Sequence, residues 1–130
     1  MKYHNNPLNI RFNERNQWCG QIQPKNGFCQ FNSIFCGFRA AVCLVKRYKF
    51  YGKETVRQII SRWAPPSDNN NTETYINIVC KNMECADSYK IVTHSDYFNL
   101  LHYMTIVEIG EWKEDFAYAL DTALDYENIR

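Results

Sequence analysis

No apolar run in this chain approaches the ~20 residues needed to cross a bilayer, so a membrane partner is not expected. The opening segment Met1-Lys2-Tyr3-His4-Asn5-Asn6-Pro7 is polar and has nothing of the apolar stretch of a secretory signal. Cytoplasmic synthesis follows as the expectation, with export left to other machinery. Charge of one sign is also missing: 15 basic residues face 14 acidic ones, which gives no reason to expect nucleic acid as a partner. Six cysteines occur without a CxxC pair. In a chain long enough to bury its own core they read as reduced, mostly buried small apolar residues rather than bridges. A zinc site would have to be assembled from scattered cysteines with His4, His94 or His102, so no metal and no cofactor is expected.

What the chain does have is 130 residues, 45% of them apolar, with no repeat or linker. That is material for one domain over residues 1–130. Gln17–Ile22 and Phe28–Phe31 read as short strands around the turn Gln23–Gly27, and Ser33 reads as a helix N-cap. Ile34, Phe38, Ala41, Val45 and Tyr48 then recur at steps of three and four, which predicts a helix ending near Gly52. A second helix, from about Glu54, carries Val56, Ile59, Ile60 and Trp63 and must stop at Pro65-Pro66. A third follows Thr72 as cap, a fourth runs from after Ser95 to Gly110, and a fifth from about Lys113 to Tyr126. The fold class is mainly α (α+β), five helices with a small β-hairpin.

One residue breaks the pattern. Tyr97, Leu101, Met104 and Glu108 lie along one side of the fourth helix, so Glu108 sits on the stripe that ought to face the core. Desolvation and the negative helix end before Gly110 both favour the protonated acid, and a Glu protonated near neutral pH is what a glycosidic general acid requires. The bland alternative is that Glu108 reaches water at the edge of the stripe or pairs with Arg11, Arg39 or Arg62. Glu111 is the reserve acid. Asn6 and Asn9 could hold sugar hydroxyls or simply form a turn. Tyr75 could face a cleft or pack in the core with its hydroxyl at the surface. Trp18 offers a stacking face, whereas Trp63 reads as core. Cys29 or Cys36 with His94 or His102 would supply the ingredients of a cysteine hydrolase, without any sign that they meet.

Several blocks carry a resemblance: Asn5-Asn6-Pro7-Leu8-Asn9-Ile10-Arg11, Trp18-Cys19-Gly20, Gly37-Phe38-Arg39-Ala40 and Ile59-Ile60-Ser61-Arg62-Trp63-Ala64-Pro65-Pro66-Ser67, with Thr72 and Tyr75-Ile76 after them. In this order they resemble a family of phage and prophage virion structural proteins, from Asn5 to about Ala123. The order is also similar to the latter part of the glucosaminidase and lytic-transglycosylase group. That resemblance implies a lysozyme-like fold, peptidoglycan glycan strands and other virion proteins as partners, a location in the virion or the periplasm and cell wall, and a sugar-facing Tyr matched by Tyr75. In that group the catalytic Glu precedes the Asn-rich turn, whereas here only four residues precede Asn5. Glu108-Ile109-Gly110 is the substitute, which implies a circular permutation with the acid-bearing helix at the end. Leu8 and Ile109 depart from the phage pattern, which usually has Gly and Asn there. Leu8 implies a turn without positive φ at that position. The predicted function is a peptidoglycan-cleaving glycosidase, muramidase or lytic transglycosylase, working through Glu108. A non-catalytic virion or wall-binding protein and an inhibitor-type partner protein are the alternatives.

Overall fold

A computed structural model describes all 130 residues. In chain order it contains β1 (Gln21–Lys25), β2 (Phe28–Phe31), α1 (Ile34–Phe50), α2 (Val56–Trp63), α3 (Thr72–Met83), α4 (His94–Ile109) and α5 (Phe116–Tyr126), with a short 3-10 turn at Pro66–Asp68. This is the α+β architecture of five helices and one antiparallel hairpin that the periodicity predicts. No helix is long and apolar enough to cross a membrane.

Local chemistry explains most boundaries. Ser33 caps α1 through its hydroxyl, which accepts from the Cys36 N–H. Thr55 and Gln58 form a reciprocal capping box on α2, and the helix ends at Ala64, ahead of Pro65. The cap of α3 is Asn71, not Thr72; the Thr72 hydroxyl instead donates to the Ala64 carbonyl at 2.6 Å and ties α3 to the exit of α2. α4 starts two residues earlier than expected, because Thr93 and Asp96 form a second capping box. It stops where predicted, at Gly110 with φ 72°.

The hairpin departs most from expectation. Trp18–Gln21 is a turn, closed by Gln21 N–H to the Trp18 carbonyl at 3.1 Å, with Gly20 at φ 77°. β1 therefore begins at Gln21 instead of Gln17 and runs through Pro24, an irregularity between Ile22 and Lys25 absorbing the missing N–H. The reversal shrinks to Asn26-Gly27, both with positive φ, as a two-residue hairpin turn requires.

The segment before the hairpin is bound to it. Cys29 N–H donates to the Ile10 carbonyl, Phe12 N–H to Gly27 and Phe31 N–H to His4, at 2.8–3.0 Å. Gly37 on α1 makes room for this segment, since a side chain there would overlap the Asn5 carbonyl oxygen. The shared core includes Leu8, Phe31, Phe38, Leu101, Met104 and Phe116. Its packing carries the head of the chain to the C-terminal end of α4. Of the six cysteines, Cys29 and Cys36 are buried, three are half-buried and Cys19 is exposed.

Candidate functional site

The turn at residues 5–10 is set by two asparagines in the left-handed region, Asn5 (φ 54°) and Asn9 (φ 51°). Asn tolerates this conformation because its short polar side chain can bond locally. Leu8 stays out of it, as its presence in place of Gly implies, and is fully buried.

Asn6 is the internal brace of the turn. It has no exposed surface, and its side chain donates to the carbonyls of Ile10 (3.0 Å) and Cys29 (2.8 Å) while accepting from the Ile10 N–H (2.9 Å). With that capacity spent on backbone, Asn6 is not a sugar-binding residue. The expectation is corrected.

Asn9 points the other way, to Glu108. Its amide nitrogen donates at 3.1 Å to both the backbone carbonyl and the Oε1 atom of Glu108. The Tyr75 hydroxyl donates to Glu108 Oε2 at 2.9 Å, with the Met104 carbonyl a second acceptor at 3.4 Å. Three segments far apart in sequence thus converge on one carboxyl. Tyr75 reaches it from inside: it is buried and does not line the open space beside Glu108. It holds the Glu108 carboxyl from the core side, and the expected place on the cleft wall is corrected.

That open space is a groove of about 740 Å³ whose walls include Asn9, Arg11, Trp63, Arg62, Asp68 and Glu108. Trp18 is not among its lining residues; it lies half-buried with the Arg47 guanidinium 5.3 Å over its ring. Trp63, read from the helix stripe as core, is half-buried and lines the groove. Both rings pack against the core, as expected of Trp63, but the one with an edge on the groove is Trp63 and not Trp18. Trp63 closes α2 just before the chain leaves as Ala64-Pro65-Pro66, and at a helix end the inward stripe has no following turn to cover it. That position was the available signal.

Burial pushes the Glu108 carboxyl above the ordinary carboxylate range. Hydrogen bonds from Asn9 and Tyr75, the polar edge of Trp63 and the charge of Arg11 oppose the shift without cancelling it. The Tyr75 hydroxyl is itself held well above its usual value by burial and by the neighbouring carboxylate, so it stays a donor. Each carboxyl oxygen takes a hydrogen bond from a neutral side chain, Oε1 from Asn9 and Oε2 from Tyr75. The side-chain oxygen of Asn9 is buried with no partner, a cost most native positions avoid.

Other candidates fall away. Glu111 lies near Lys113, at 3.8 Å, and does not line the groove. Of the two weak candidates for a second carboxylate, Asp68 lines the groove, while Asp96 is a capping residue that accepts from Tyr89 and from the Val92 and Thr93 N–H groups. Arg39 is paired with Glu127 at 2.9 Å. The Cys29 thiol is pushed up to about 11 by burial, the opposite of what a nucleophile needs.

No protein-family profile matches the chain. Protein P5 of Pseudoalteromonas phage PM2 is 39% identical to it over 80 residues, which cover 58% of this chain and 49% of that protein. The chain spans about half the length of that relative, and the likeness ties it to a bacteriophage protein.

Proposed function

We propose that this phage-related chain is a peptidoglycan-cleaving glycosidase, a muramidase or lytic transglycosylase, associated with the virion or released to the cell wall. The observation that carries the reading is one carboxyl, raised above its ordinary range, held on a groove wall by Asn9 and Tyr75. Protonated Glu108 gives its proton to the oxygen between two sugars as that bond breaks. The resulting carboxylate then takes a proton from the attacking hydroxyl. If that hydroxyl belongs to the same sugar, the ring closes and no second carboxylate is required; if it belongs to water, Asp68 is the acidic group on the same groove.

The test is a zymogram on purified cell wall with wild type and Glu108→Gln, both verified as folded by circular dichroism. Clearing by the wild type, with a loss of roughly 10²-fold or more in the variant, is the expected result. Equal clearing removes Glu108 from the mechanism.

A second reading has its own observation. The two donors on Glu108 are both protein groups, so the carboxyl also works as a clasp between the head of the chain, α3 and α4. In that reading the protein is a non-catalytic virion or wall-binding component. Absence of clearing by either form selects it.

A further inference from the structure

Two guanidiniums on the groove are held in place yet carry no counter-ion. The Arg11 guanidinium carbon lies 5.1 Å over the Phe28 ring, and that of Arg62 lies 5.2 Å over Tyr48. Both side chains are exposed and both line the groove. Neither makes an ion pair, whereas Arg39 pairs with Glu127 at 2.9 Å and Arg57 with Glu73 at 3.0 Å. Cation–π attraction holds each guanidinium against its ring, and neither N–H edge is taken by a protein acceptor. That edge matches the two oxygens of a carboxylate. The acids in the groove, Glu108 and Asp68, do not take these positions.

We propose that Arg11 and Arg62 are specificity residues that receive carboxylates carried by the glycan in this groove. This rests on the glycan-cleaving reading above and narrows it. A neutral polymer of N-acetylated sugars would leave both guanidiniums unanswered. A wall glycan presents carboxylates from two sources, the peptides attached to alternate sugars and the lactyl groups exposed once those peptides are removed. Nucleic acid fits less well, because the Asp68 carboxylate would face its phosphates.

The test is co-sedimentation of the full chain with purified sacculi at low ionic strength, in the Glu108→Gln background so that the wall survives. Four polymers are compared: native sacculi, sacculi whose carboxylates have been amidated with carbodiimide and ammonia, glycan strands stripped of peptides by an amidase, and chitin. Arg11→Gln and Arg62→Gln are each expected to weaken binding to native sacculi about three-fold, and the double variant about ten-fold. Amidation should weaken the parent by a similar factor and the double variant no further. Peptide-stripped strands bound as well as native sacculi show that the freed lactyl carboxylate replaces those of the peptides; weaker binding to them assigns the peptides alone. Equal binding of the parent to native and amidated sacculi overturns the proposal. So does an equal loss by the arginine variants on chitin, or tighter binding to duplex DNA that the double variant abolishes. Failure of the catalytic reading shows elsewhere, as absence of clearing by wild type, and leaves this binding pattern to stand or fall on its own.

Discussion

Replacing Asn6 by alanine separates the brace of the N-terminal turn from its reactive face. Asn6 is fully buried and makes three hydrogen bonds, all to backbone. In Asn6→Ala the Ile10 carbonyl keeps its bond from the Cys29 N–H at 2.9 Å. The Ile10 N–H has its acceptor taken away inside the core, which costs about 1–3 kcal/mol. Loss of the two donated bonds adds roughly 1 kcal/mol each. The total is about 3–5 kcal/mol, or a fall in melting temperature on the order of 12–20 °C for a domain of this size.

Asn9→Gly is the matched control, since glycine keeps the left-handed turn without strain. It removes a side chain whose oxygen is unpartnered, so its cost should stay near 1 kcal/mol. It also removes a donor that favours the ionised acid, so the Glu108 carboxyl should titrate at still higher pH. Thermal and urea unfolding followed by circular dichroism measure both costs. Loss of less than about 1 kcal/mol in Asn6→Ala, or equal losses in the two variants, would refute the division of labour within the turn.

Two further outcomes follow from the same geometry. Because Glu108 is raised in the folded state, the folded chain holds a proton that the unfolded chain has already lost across the window from the ordinary carboxyl range up to the raised value. This contribution to stability should fall as pH rises through that window and be absent in Glu108→Gln; urea titrations of both proteins at stepped pH measure the difference between them. Gly37→Ala should cost about 2–3 kcal/mol in denaturant unfolding, because its methyl group overlaps the Asn5 carbonyl oxygen and forces the turn off α1. A neutral result there would mean the head segment is not seated on that helix.

The helices were legible because their signals are local. Stripes at steps of three and four, Ser33, the Pro65 stop and Gly110 each act within a turn of the residues they organise. The anomaly at Glu108 was legible for the same reason, as a carboxyl on an apolar stripe. Its meeting with Asn9, 99 residues away, was expected only through the resemblance, and the structure brings the two together. What escaped was direction. A turn rich in asparagine does not announce which side chain faces inward, and Asn6 and Asn9 look alike until the Ile10 and Cys29 backbones are in place around the first. The first strand was misplaced because Gly20, needed for a turn, stands inside a run that alternates like a strand. Arg11 and Arg62 gave no signal of a shared groove, since only the fold brings the head of the chain beside the end of α2.

The clasp and the catalytic readings of Glu108 part company over what each asks of the side chain. A clasp needs acceptors for the Asn9 amide and the Tyr75 hydroxyl, and nothing more. Glutamine meets most of that need: its oxygen can accept from Asn9, its amide can donate to the Tyr75 oxygen, and the Tyr75 proton can turn to the Met104 carbonyl, already 3.4 Å away. It does so without desolvating a charge. A fold that wanted only a joint between its head and α4 would thus gain by an amide at this position. The chain keeps an acid there, partly buried on an open groove, and leaves the Asn9 oxygen unpaired beside it. Those are costs to the fold that a group able to release and recapture a proton would justify. Glu108→Gln should accordingly match or exceed the wild type in stability near neutral pH while losing clearing of the wall. A variant that instead loses stability and clearing together would make the clasp the sufficient explanation.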